Sequence, residues 1–255
     1  MPHCEKEKIC YTSDIKHHFK DIKKGFNLAE VLITLGIIGV VAALTIQNLI
    51  INYQKKETAE KLKVAFTLFS GALERAKSDY GDVYMTIDMY KDLYLYRKTY
   101  IDPYLTGAKP YKGKPFNIYA SNGSVNIYFG YDDKVMCLPN GFCYLFKGNG
   151  GYNPDADYEW MNYLYLVVDL NGPKNPNRAG RDIFYFALNI PFREGEITKK
   201  IPLLSGYVSG TSETTTRDEM IKDCRGDNSG WGAGKMCTLL IMNDGWEIKD
   251  DYPWK

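Results

Sequence analysis

The sequence predicts an α+β fold: one long helix at the front of the chain, then a mainly antiparallel sheet. Three observations carry it. Residues 31–46 hold no charged side chain, and Thr34 and Thr45 are their only polar ones. Apolar residues then recur at helical spacing. From about residue 125 onward the apolar residues alternate with polar ones between turn signals.

The run from Val31, extended through Leu49-Ile50-Ile51, is long enough as a helix to cross a hydrocarbon layer of ~30 Å at ~1.5 Å per residue. Beyond it, Leu62, Ala65, Phe66, Phe69, Leu73 and Ala76 follow the i, i+3, i+4, i+7 pattern, with Lys61, Lys63, Glu74 and Lys77 on the other face. One helix from about Leu28 to Ser78 results, with a stop at Tyr80-Gly81-Asp82. Residues 83–115, with Pro103, Pro110 and Pro115, read as a short helix over about 88–100 and then a loop. Strands follow at Val125–Phe129, Val135–Leu138, Phe142–Phe146, Tyr163–Val168 and Ile183–Leu188. Pro139-Asn140-Gly141 turns the second into the third and sets Cys137 opposite Cys143, within disulfide reach. Met236–Met242 and Trp246–Ile248 predict a last hairpin around Asn243-Asp244-Gly245, with Cys224–Cys237 stapling the Gly-rich loop 225–234 onto it.

Lys20, Lys23 and Lys24 precede the apolar run, so the positive-inside bias keeps the start of the chain cytoplasmic and the rest outside the inner leaflet. Glu30 stands at the mouth of the apolar helix, where a charge is costly and calls for a partner. Lys23-Lys24-Gly25, then Phe26-Asn27-Leu28-Ala29-Glu30 and Val31-Leu32-Ile33-Thr34-Leu35, closely resembles the class III signal of type IV pilins and type II secretion pseudopilins. The resemblance implies cleavage between Gly25 and Phe26 by a prepilin peptidase, N-methylation of Phe26, and assembly with Glu30 facing the Phe26 ammonium of a neighbour. It divides the chain into a leader (1–25), a transmembrane and filament-core helix (26–52) and a pilin-like head (53–255). A plain signal anchor whose Glu30 snorkels to the headgroups is the competing reading. Gln47 stands where many relatives carry proline, so it keeps the backbone ladder.

Of 32 basic and 31 acidic side chains the leader holds six and four, leaving 26 and 27. A balance this even implies no basic face and no nucleic acid as primary partner. His3, His17 and His18 all lie in the leader, which argues against a His-based triad or a His-ligated zinc site in the mature chain. No enzyme activity and no small-molecule substrate are expected. Cys137, Cys143, Cys224 and Cys237 remain, an even count that in an exported domain reads as two disulfides. A Cys4 zinc site competes, but its short Cys-x2-4-Cys spacing is missing.

The loop from Asp169 to Asp182 offers Asp169, Asn171 and Asp182 as calcium ligands. Some pseudopilins hold calcium in a loop of this region. Asx turns and a rigid Pro-Asn connection explain the same residues without a metal, and no other cofactor is implied. Asp155 and Asp157 read as solvated loop acids. The chain is thus expected to be a structural subunit, more a minor one than the repeating one, of a type IV pilus or type II secretion pseudopilus. Its partners are then the prepilin peptidase, other pilin or pseudopilin subunits, the inner-membrane assembly platform and the bacterial inner membrane itself. The alternative is a membrane-anchored surface domain that binds glycan or another ligand through its tyrosines and tryptophans without polymerising.

Overall fold

A computed structural model describes residues 27–81, 83, 89, 92–129, 134–148, 164–188, 204–206, 215–227 and 233–254. The chain divides into two compact units, residues 1–49 and 50–255. Helix α1 runs Leu28–Tyr80. Its apolar stretch, Leu28 through Ile51, is solvent-exposed among the described residues and long and apolar enough to cross a membrane.

The second half of α1 belongs to the core of the second unit. Ala59, Leu62, Ala65, Phe69, Ala72, Leu73 and Ala76 are buried, the one-sided stripe that the sequence predicts, with Phe66 half-buried beside it. Small residues alternate with large ones along the stripe, which brings the helix backbone close to the sheet. Past the helix come α2 (Leu93–Tyr100) and a 3-10 turn (Asp102–Tyr104). Asp92 caps α2 by accepting the Tyr94 N–H; Met89 is also helical, and the rest of the segment around the expected start at 88 lies outside the described residues.

Among the described residues eight strands follow: β1 (Lys109–Pro110), β2 (Phe116–Tyr119), β3 (Val125–Phe129), β4 (Met136–Cys137), β5 (Cys143–Gly148), β6 (Leu164–Asp169), β7 (Ile183–Leu188) and β8 (Leu204–Gly206). The main sheet is antiparallel in the order β1-β4-β5-β6-β7-β8, and β2-β3 form a separate pair. Register sets Tyr144 opposite Val168 and Val168 opposite Phe184, and Phe146 opposite Leu166 and Leu166 opposite Phe186. These residues share the face that α1 covers, where Phe69 meets Tyr144 edge-on at 5.0 Å and Phe66 meets Phe186 at 6.1 Å. The reverse face carries Cys143, Tyr165, Asp169, Ile183 and Tyr185. It is covered too, with the Lys235 ammonium 5.0 Å from the Tyr165 ring centroid. Both faces of β6 and β7 are therefore buried from end to end.

Two helices close the fold, α3 (Arg217–Arg225) and α4 (Cys237–Asn243). Helix α4 corrects the expected last hairpin. Asn-Asp-Gly serves a tight strand turn and a helix C-terminus equally, and here it ends a helix. The Trp246 N–H donates to Ile241 O at 2.8 Å and the Gly245 N–H to Met242 O at 3.1 Å, the paired bonds of a Schellman ending. Cys237, Thr238, Leu240 and Ile241 are buried at helical spacing, and the Thr238 hydroxyl accepts the Tyr185 N–H at 3.0 Å, at the end of β7 that β8 does not reach. Strand β1 arises in a segment that reads as loop, and helix α3, β2 and β8 in segments to which the sequence assigns no element.

Candidate functional site

The N-terminal segment and the loop Asp169–Asp182 are the two places where the sequence sets function. Gly25 and Phe26 lie outside the described residues, as do Asp155 and Asp157. Glu30 is described: its carboxylate accepts the Asn27 N–H at 3.2 Å, while Asn27 Oδ1 accepts the Ala29 N–H at 3.3 Å. This exchange closes the first turn of α1 and places an acid at the positive end of the helix dipole.

The loop between β6 and β7 is built around two carboxylates. Asp169, at the end of β6, is fully buried. Its Oδ1 accepts the Asn171 N–H at 3.0 Å, an Asx turn, and the Gly172 N–H adds a further bond. Asp182, at the start of β7, takes the Arg178 N–H on Oδ1 at 2.7 Å. Its Oδ2 takes the Asn177 N–H at 2.8 Å and the Asn171 amide Nδ2 at 3.1 Å. Both oxygens of Asp182 are thus spent on folding the loop. Burial raises Asp182 above the usual carboxylate range, against the pull of those bonds. Burial pushes Asp169 up to about 8, with the neighbouring Asp182 adding to the rise.

Three buried oxygens here accept no hydrogen bond among the described residues: Asp169 Oδ2, Asn171 Oδ1 and Asn177 Oδ1. Unspent acceptors of this kind are met by a hard cation, by an ordered water, or by the proton that burial holds on Asp169. The expected calcium ligands Asp169, Asn171 and Asp182 meet in this loop, but Asp182 has both oxygens engaged by the loop itself. Asn177, 4% exposed and at φ 50°, is the residue that sequence reasoning missed. Its signal is the Pro176-Asn177 pair, because Asn tolerates a left-handed backbone better than most residues.

Four further features converge on this loop. The Tyr119 N–H donates to Asn177 O and the Ala179 N–H to Tyr119 O, both at 2.8 Å, which stitches it to β2. The Cys137–Cys143 disulfide borders Gly172, where a Cβ would lie 3.6 Å from Cys143 Sγ. The Cys224–Cys237 disulfide, which joins α3 to α4 and not to a hairpin, borders Gly180. Cα–Cα separations of 4.0 and 4.9 Å place both bridges where the sequence pairs them. The C-terminal tail closes the far side: the Tyr252 hydroxyl donates to Gly180 O at 2.7 Å, and Arg181 stacks over Trp254 at 4.1 Å.

These features define a class of protein, a disulfide-braced α+β domain built on the second half of an N-terminal helix whose first half is of membrane-spanning length. The chain belongs to the family of unknown function DUF6613, whose model matches residues 48–255. Comparison with curated proteins and with solved structures yields no match.

Proposed function

We propose that this chain is a non-enzymatic subunit of a membrane-rooted filament of the type IV pilus or type II secretion pseudopilus kind, in a minor rather than repeating role. The observation that carries the reading is the order Gly25-Phe26…Glu30 ahead of the apolar half of α1. In support, α1 passes from an apolar segment into an amphipathic one without a break in its helical residues. The domain that follows is an antiparallel sheet packed on that amphipathic half. In this reading a prepilin peptidase removes residues 1–25, the Phe26 amino group is methylated, and the apolar segment first anchors the chain in the inner membrane with its start in the cytoplasm. Subunits then pack through the apolar helices, and a neighbour's Phe26 ammonium neutralises Glu30.

Glu30 already receives the Asn27 N–H in its own helix. Capping uses one acceptor oxygen and leaves the negative charge, so the two roles are separable. Mass spectrometry of the membrane-inserted protein is expected to find a terminus at N-methylated Phe26. A terminus beyond Ala43 would remove the anchor and refute the reading. Glu30→Gln keeps an acceptor for Asn27 but no charge. If charge pairing drives assembly, this variant is cut and inserted normally and is depleted from the sheared-filament fraction. Undiminished filaments would show that Glu30 acts only as a cap. An uncut, anchored chain with no filaments would favour the surface ligand-binding alternative.

A further inference from the structure

We propose that Cys137–Cys143 is a thiol–disulfide exchange site, opened at Cys137 by an external dithiol with Lys109 beside it, while Cys224–Cys237 stays closed and holds the fold. The inference stands on the head domain alone and holds whether or not the chain enters a filament.

The placement follows from one row of the sheet. Register sets Lys109 opposite Cys137, Cys137 opposite Cys143 and Cys143 opposite Asp169. Directly opposed residues of antiparallel strands share a face, with Cβ atoms about 4.5–5.5 Å apart. A lysine therefore flanks one end of the bridge and a buried acid the other. Strand β1 is only two residues long, both of them exposed, and Cys137 next to it is half-buried. Cys143 is 2% exposed, with Gly172 packed near its sulfur. An incoming thiolate thus reaches the Cys137 end, and the Lys109 ammonium draws it there. It attacks Cys137 Sγ, the bond between the two sulfurs breaks, and Cys143 leaves as a thiolate that takes up a proton. The second thiol of the dithiol then displaces Cys137, whose thiolate forms beside Lys109 and is protonated in turn. Two electrons and two protons pass to the cysteines, and the dithiol ends as a disulfide; the reverse closes the bridge. The hairpin survives this step, because the Leu138 N–H donates to Phe142 O at 2.7 Å and the Gly141 N–H to Leu138 O at 3.0 Å. Cys224–Cys237 offers no such approach. Both of its cysteines are buried, and Gly180 is packed against Cys237. Its sequence separation is 13 against 6, so it also constrains the unfolded chain more.

The test incubates the full oxidised chain, in detergent and without denaturant, with dithiothreitol. Free thiols are trapped over time with N-ethylmaleimide, and each bridge is read by peptide mass mapping. Cys137 and Cys143 are expected to be labelled first, with Cys224–Cys237 intact and the near-UV circular dichroism of the folded domain retained. Bridges that open together, or Cys224–Cys237 opening first, overturn the proposal. Cys143→Ser and Cys137→Ser each leave one thiol of this pair, and exchange with the disulfide reagent DTNB reads its reactivity. The Cys137 thiol should react severalfold faster than the Cys143 thiol, and the reverse order overturns the direction of attack. Lys109→Gln should slow the opening of the native bridge by dithiothreitol severalfold at low salt and leave Tm unchanged, since the side chain is exposed. Added salt should slow wild type toward the variant. Equal rates for the two at low salt overturn the part assigned to Lys109.

Discussion

Three glycines make one substitution into a graded measurement of how tightly the β6–β7 loop is packed. At Gly71, inside α1, a Cβ meets nothing within 4 Å and the backbone is helical. Gly71→Ala should stabilise by about 0.5–1 kcal/mol, because the unfolded chain loses freedom and the helix loses none. At Gly141, in the β4–β5 turn, space is open but φ is +91°. Only the left-handed backbone penalty applies there, about 1–2 kcal/mol. Gly180 combines both costs: φ is +80°, and a Cβ would stand 2.6 Å from Cys237 Sγ and 2.9 Å from Tyr252 Oη. Neither neighbour is a free chain end, since one is held in a disulfide and the other donates to Gly180 O. Overpacking of this kind adds about 1–3 kcal/mol, for about 2–5 kcal/mol in all. At 2–4 °C per kcal/mol for a unit of this size, Gly180→Ala should lower Tm by about 4–20 °C. Gly141→Ala should lower it by about 2–8 °C, and Gly71→Ala should raise it slightly. The assay is thermal unfolding followed by near-UV circular dichroism, with thiol titration to show that both bridges have formed. A Gly180→Ala variant no worse than Gly141→Ala, with its disulfides intact, would refute the tight contact between loop, second disulfide and tail.

Two further predictions concern α3 and the tail. Thr216 and Glu219 form a reciprocal cap, Thr216 Oγ1 accepting the Glu219 N–H at 3.3 Å and Glu219 Oε2 the Thr216 N–H at 2.8 Å. Thr216→Ala should cost about 1 kcal/mol and lower Tm by about 2–4 °C, whereas Thr216→Ser should be nearly silent. Arg217 donates to both oxygens of Asp244 at 2.8 Å, and these bonds first, then Lys249, hold the Asp244 carboxyl below its ordinary value. Asp244 therefore contributes stability that is complete above the unfolded value of ~3.9 and drains as pH falls through the lower folded one. Urea midpoints between pH 6 and pH 2.5 should fall less steeply for Arg217→Gln than for wild type, and parallel slopes would exclude this pair as a source of acid sensitivity.

Why the strands were legible and the final helix was not comes down to what each signal excludes. Residues 164–169 and 183–188 are short apolar runs rich in β-branched and aromatic side chains, and a run of that length between turn residues has little to be except a buried strand. The stripe on α1 was equally one-sided, because a 3.6-residue period cannot line one face of a strand. Met236–Met242 is apolar nearly throughout, which carries no period, and Asn-Asp-Gly closes a hairpin or a helix with equal ease. Tertiary demand decided it. Thr238 accepts the Tyr185 N–H of β7, and the one-turn spacing of Cys237, Leu240 and Ile241 buries them all only in a helix. Helix α3 was legible in principle through Thr216-x-x-Glu219 and Gly226, since a capping box and a left-handed stop bracket nine residues. Its mean polarity hid it.

The loop shows the same limit at finer grain. Its composition announced oxygen ligands, and three of the residues singled out do meet. Composition could not say which oxygens remain free once the loop has folded, and that is the quantity on which ligation depends. Asp182 looks from the sequence like the stronger ligand, a full carboxylate beside a strand, yet its lone pairs are consumed by the backbone of Asn177 and Arg178. Asn177 looks like a turn residue and keeps its amide oxygen unpaired. Chain positions 119, 143, 237 and 252 all border this loop from elements distant in sequence. A loop that merely linked two strands would need none of them. Two disulfides, a strand and the C-terminal tail holding one connection in place is the arrangement expected where buried acceptors must be kept from relaxing toward water, since without the clamps the loop would turn them outward and satisfy them there.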